Sequence, residues 1–158
     1  PDFAPWYYEM HSLGFNYRIT DIQATLGISQ LKKLDSFVKR RKEIALKYDK
    51  AFLNSFVKPL YSFTKNSSYH LYVVKVDFSK LNISKVELFN KMREKNIGLQ
   101  LHYIPINKQP YYKSLGYGNE DTPIMNRYYD ECFSLPMYSS LSNEEQEYVI
   151  KTLFEVLK

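Results

Sequence analysis

Three times in this chain a hydroxyl residue stands three positions before a Glu or Gln at the head of an amphipathic run: Thr20 with Gln23, Ser84 with Glu87, and Ser142 with Glu145. Each pair satisfies two helix-end amides reciprocally, so each reads as a capping box that starts a helix. After Thr20, the apolar residues Ile22, Leu26, Leu31, Leu34, Val38, Ala45, Tyr48 and Phe52 recur near helical spacing. That predicts one long helix or two consecutive ones reaching about Asn54, with Gly27 as a bend or close-packing point. Ser84 heads a short helix ending near Gly98, and Ser142 heads the terminal helix.

Between the helices lie runs with strand character. His70 to Phe78, "HLYVVKVDF", is rich in β-branched and aromatic residues, Gly98 to Ile106 is a second such run, and Cys132 to Tyr138 is a third that Pro136 ends. Pro105 to Thr122 carries prolines, glycines and tyrosines and reads as a long ordered loop before a helix over Pro123 to Glu131. The order predicts an α+β fold: a small sheet covered by helices on one face.

Composition limits the functional classes. At 158 residues, 44% hydrophobic and 25% charged, the chain is long enough for one domain with a real core, and no apolar run approaches the roughly 20 residues that span a bilayer. The single cysteine, Cys132, excludes an internal disulfide framework, and no signal-peptide pattern is visible, which together favour a cytoplasmic setting. The net charge of +5 and "KRRKE", Lys39 to Glu43, invite a nucleic-acid reading. These cations mix with Asp35, Glu43 and Asp49 along a helix, the pattern of a solvated face, so neither a nucleic-acid partner nor a membrane is expected. His11, His70 and His102 are too scattered to propose a metal. The chain opens at Pro1 and carries an aromatic strip, Pro5-Trp6-Tyr7-Tyr8, near its start, which suggests a piece of a larger protein.

The stretch "LGFNYRITDIQATLG", Leu13 to Gly27, places Gly14, Asn16 and Arg18 in the approach to a helix N-terminus. Free amides and the positive end of the helix dipole face outward there, Asn16 offers an amide donor, and Arg18 a fork matched to phosphate or carboxylate. An anion site is one reading; a turn stabilised by Asn16, with Arg18 paired to Asp21 or to an adjacent domain, is the other.

The run from Leu13 to Phe52 resembles the segment G-x-N-x-R-x-x-[DE]-x-Q-A-x-x-G-x-x-Q-L of the pyridoxal-phosphate sugar aminotransferases, enzymes of nucleotide-linked keto sugars. "GLQLHYIPINKQPYY" is similar to that family's G-I-x-x-x-x-H-Y-x-P-x-x-x-Q-P-x-Y, and "FSLPMYSSLSNEEQEYVI" to its closing S-L-P-M-Y-x-x-L-S-x-E-E. The leading "PWYYEMHSLGFNYR" is most similar to the branch on the pseudaminic acid route.

The resemblance implies the small C-terminal domain of a fold type I pyridoxal-phosphate-dependent transferase, preceded by a long linking helix. Residues 1–19 would be a linker and cofactor-edge turn, 20–56 the linking helix or helix pair, and 57–158 the small domain. Asn16 would reach the cofactor phosphate of the neighbouring subunit in a homodimer, Arg18 would organise that entry or contact substrate, and His102 and Tyr103 would line the sugar end of the pocket. The Schiff-base lysine would lie upstream, so this stretch alone would be inactive and names no catalytic residue. The expected partners are a nucleotide-linked 4-keto-6-deoxy sugar and glutamate as amino donor. A sugar dehydratase of the same fold, with histidine in place of that lysine, and a non-catalytic homologue remain the alternatives.

Overall fold

The computed structural model describes residues 11–158, so the aromatic strip at Pro5 to Tyr8 lies outside the described residues. The chain divides into two compact units, one ending at Leu34 and one running from Asp35 to Lys158.

The first unit holds an irregular approach segment and helix α1, Asp21–Leu31. Thr20 caps it with both halves of the capping box formed: its hydroxyl accepts from the Gln23 amide at 3.3 Å, and Gln23 Oε1 accepts from the Thr20 amide at 2.9 Å. None of its residues is buried. A side chain at Gly27 would meet nothing within 4 Å, so this glycine is neither a close-packing point nor the break. The helical run is instead interrupted at Lys32 and Lys33, where the amides fold back onto Ile28 and Gln30. Helix α2, Leu34–Phe52, follows, so the run is a helix pair.

Helix α2 buries Ile44, Ala45, Tyr48 and Phe52, the 3.6-residue stripe written in the sequence. Against it stands an antiparallel sheet, β1 (Lys58–Pro59), β2 (Tyr72–Lys75) and β3 (Cys132–Leu135), in that spatial order. Register pairs Tyr72 with Leu135 and Val74 with Phe133, which sends these four side chains to one face. Helices α3 (Lys85–Glu94) and α6 (Asn143–Leu157) contribute Leu88, Met92, Val149 and Leu153 to the same core. Fully burying a side chain of this size stabilises the fold by roughly 1.5–3 kcal/mol. Their capping boxes, at Ser84 and Ser142, are both formed.

Lys39 and Glu43 of the basic run are exposed, as a solvated face requires, but its two arginines are engaged by the fold. Arg40 Nη2 donates to the Leu141 carbonyl at 2.6 Å, and Arg41 Nη1 lies within 3.1 Å of the carbonyls of Tyr69, His70 and Met137. Carbonyls that leave regular structure need donors, and these two guanidinium groups supply them from a neighbouring helix.

The expected strands are shorter than their sequence patterns. Val76 donates to the Glu131 carbonyl, and then Asp77 caps a 3-10 turn over Phe78–Lys80, which ends β2. Of Gly98 to Ile106 only Gln100 pairs, with Ser134, through backbone bonds of 2.7 and 3.2 Å. The ladder goes no further, and the next carbonyl on that side, His102, accepts from the Tyr128 hydroxyl at 3.0 Å instead of from a strand. The long loop contains a 3-10 turn, Ile106–Lys108, and helix α4, Pro110–Ser114. Glu120 closes it by accepting from Asn107 at 3.0 Å and from the Gly118 amide at 2.9 Å. Gly118 has φ +113°, and an added Cβ would come within 3.3 Å of the Asn107 carbonyl, so glycine is required there. Helix α5, Pro123–Glu131, matches its expected bounds and leads directly into β3.

Candidate functional site

In the first unit, Asn16 and Arg18 are exposed in the segment that enters α1. Arg18 Nη1 donates to the Tyr17 carbonyl at 2.8 Å and makes no ion pair with Asp21 among the described residues, so the rest of its guanidinium fork is available. The capping box occupies the Gln23 and Thr20 amides, and those of Asp21 and Ile22 have no partner among the described residues. An exposed amide side chain, a guanidinium and a helix N-terminus thus follow one another along this segment, each a donor type that phosphate accepts from, with the acidic Asp21 at the first helical position.

In the second unit, His102 and Tyr103 sit where the strand-like run leaves the edge of β3. Their rings meet edge to face at 4.9 Å and 83°; His102 is half-buried and Tyr103 is 75% exposed. His102 is held from two sides. Its Nδ1 lies 3.0 Å from Ser134 Oγ on β3, and its carbonyl accepts a hydrogen bond from the Tyr128 hydroxyl on α5. Burial raises the Tyr128 phenol pKa, so the group remains a neutral donor. The other ring nitrogen, Nε2, has no hydrogen-bond partner among the described residues.

Ser134 and Tyr128 were not predicted as site residues. Tyr128 carries no local sequence signal. Ser134 does: it is a lone hydroxyl in "CFSLP", a strand buried at every position, and a buried polar side chain among apolar neighbours calls for a named partner. A cavity of about 490 Å³ lies between α3 and α5, lined by Lys85, Phe89, Arg93, Leu101 and Tyr129; neither His102 nor Tyr103 lines it. Its Lys85 ammonium donates to the Tyr129 carbonyl, and burial lowers the lysine's pKa.

Residues 2–154 match the model of the DegT/DnrJ/EryC1/StrS aminotransferase family. The chain belongs to this family. It is 38% identical over 157 residues to the spore coat polysaccharide biosynthesis protein SpsC of Bacillus subtilis, covering 97% of this chain and 40% of that protein. It is 35% identical over 158 residues to the UDP-4-amino-4,6-dideoxy-N-acetyl-beta-L-altrosamine transaminase of Campylobacter jejuni, covering 97% of this chain and 41% of the other.

Among solved structures, the sugar aminotransferase Spr1654 of Streptococcus pneumoniae superposes with a TM-score of 0.82 at 31% identity, over 96% of this chain and 38% of that one. Structures of that protein include PMP and PLP forms. Helicobacter pylori PseC, an aminotransferase of pseudaminic acid biosynthesis, superposes with a TM-score of 0.83 at 28% identity, over 98% of this chain and 42% of its own. This family member therefore spans about 40% of the length of such relatives, and its fold is the α+β aminotransferase arrangement expected from the sequence.

Proposed function

We propose that the chain is the C-terminal part of a pyridoxal-phosphate-dependent aminotransferase that passes an amino group, from glutamate, to a nucleotide-linked 4-keto-6-deoxy sugar for bacterial surface glycans. Family membership along nearly the whole chain carries the reading, together with relatives whose names specify sugar transamination and polysaccharide synthesis. When bound, pyridoxal phosphate supplies the chemistry of amino-group exchange in two half-reactions, first with the donor and then with the keto sugar.

The residues of this chain bind and orient. The exposed donor set at the entry to α1 fits the cofactor: Asn16 and the Asp21 and Ile22 amides are suited to its phosphate, of the neighbouring subunit in a homodimer. Arg18 steers that phosphate or an anionic group of the substrate. His102 presents Nε2 to an oxygen of the sugar, and Tyr103 offers an open aromatic face beside it. No lysine of this chain is assigned the amine that holds the cofactor, so the chain alone is inactive.

The test is the visible spectrum of the full-length protein with pyridoxal phosphate, before and after borohydride, with peptide mapping. Borohydride-stable cofactor on a lysine upstream of this chain, and amino transfer to a keto sugar, are the expected results. Bound cofactor that borohydride never fixes would assign a dehydratase instead, and no bound cofactor would leave a non-catalytic homologue.

A further inference from the structure

We infer that Ser134 and Tyr128 are positioning residues that hold His102 as the neutral Nε2–H tautomer, so that the ring meets a substrate oxygen as a hydrogen-bond donor and not as a proton acceptor. Ser134 is 4% exposed, in the middle of a strand whose four residues are all buried. Its Oγ has one hydrogen-bond partner among the described residues, His102 Nδ1 at 3.0 Å. A serine hydroxyl carries one proton, and a buried O–H without an acceptor costs about 1–3 kcal/mol.

If Nδ1 carried the ring proton and donated it, the Ser134 proton would have no acceptor. If Nδ1 is bare, the hydroxyl donates to it and every group in the pair is satisfied. The ring proton then sits on Nε2, which has no partner among the described residues. A histidine whose second-nitrogen partner selects its tautomer is a familiar device.

Two further bonds make the arrangement rigid. Ser134 exchanges both backbone bonds with Gln100, two residues before His102, so the serine that orients the ring also anchors its strand. The Tyr128 hydroxyl fixes the His102 carbonyl at 3.0 Å. Backbone is therefore held on both sides of the ring, and side-chain rotation is stopped by Oγ.

The tautomer follows from this chain's geometry alone; the role toward substrate rests on the proposed function. The two parts fail separately. In the 158-residue chain with 15N-labelled histidine, long-range proton–nitrogen spectra at neutral pH read the tautomer of His102. The expected spectrum has Nδ1 unprotonated and Nε2 protonated, and Ser134→Ala moves it toward a mixture of tautomers. A wild-type ring protonated at Nδ1 overturns the inference without any variant having to fold, as does an unchanged tautomer in a folded Ser134→Ala. Tyr128→Phe, which removes one hydroxyl near the surface of α5, tests the backbone hold: faster amide exchange at Tyr103 and Ile104 is expected, and unchanged exchange counts against it.

In the full-length enzyme, Ser134→Ala is expected to raise KM for the keto sugar about five- to tenfold, the worth of one hydrogen bond, with the half-reaction of the amino donor unchanged. Equal loss in both half-reactions would make Ser134 merely structural. Absence of any amino transfer by the wild-type enzyme would strike the proposed function and leave the tautomer standing.

Discussion

The Tyr72 hydroxyl donates a 2.5 Å hydrogen bond to the Asp49 carboxylate, joining the first residue of β2 to the last turn of α2. Burial and then the Asp49 bond and charge hold the Tyr72 phenol well above its ordinary pKa. Neutral tyrosine is favoured in the folded state, so the stabilisation is complete below the unfolded value of about 10 and is lost as pH rises above it. Tyr72→Phe is expected to cost about 1–2 kcal/mol near neutrality and to flatten the alkaline loss of stability, leaving the part due to Tyr48, whose phenol burial also raises. Urea midpoints at about pH 8 and about pH 10.5 check this; parallel losses in the two proteins would sink it.

The three capping boxes are alike in geometry and unlike in what they support. Helix α6 buries Gln146, Val149, Thr152, Leu153 and Leu157, whereas α1 buries nothing. Loss of a cap hydroxyl costs about 1 kcal/mol of helix stability wherever it occurs, but that cost reaches the global transition only through a helix packed in the core. Ser142→Ala is expected to lower the urea midpoint, and Thr20→Ala to leave it unchanged while speeding amide exchange within α1. Equal midpoint shifts would show that α1 folds with the core.

What the sequence disclosed follows the range of each interaction. Caps join residues three apart, and all three formed; the helix expected over Pro123–Glu131 also formed, without a side-chain cap. Pairing is non-local. The Gly98 to Ile106 run has strand composition, yet it keeps one bridge, and a tyrosine 26 residues away takes the His102 carbonyl. The two-residue β1 contains Pro59 and has no pattern to read. At the site, His102 and Tyr103 were visible through a motif, while Ser134, 32 residues on, was read only as part of a strand.

The entry to α1 yields a prediction for the full-length enzyme. Asn16→Ala removes one donor to an anion and is expected to weaken pyridoxal phosphate binding about tenfold, one charge-assisted bond, with little change in the fold because Asn16 is exposed. Arg18→Lys keeps the charge and loses the fork, so a loss comparable to Arg18→Ala would show that the planar geometry matters. Unchanged cofactor affinity in a titration of all three variants would remove this turn from the phosphate site.

The last prediction concerns the chain as it stands. Leu13, Phe15, Tyr17 and Ile19 are between 74% and 92% exposed, and Ile22, Leu26, Ile28 and Leu31 on α1 between 57% and 84%. Apolar residues so concentrated in one short segment exceed the scattered exposure normal on a monomer, and water is a poor solvent for them. The 18.8 kDa chain is therefore expected to self-associate at micromolar concentration, through hydrophobic contact that weakens little with added salt. Ile22→Asp with Leu26→Asp places charges in that surface and should return the chain to a monomer without moving the urea midpoint, since neither residue is buried. Sedimentation velocity decides the matter: a wild-type monomer at high concentration would refute the expectation, and an oligomer that survives both substitutions would place the contact elsewhere.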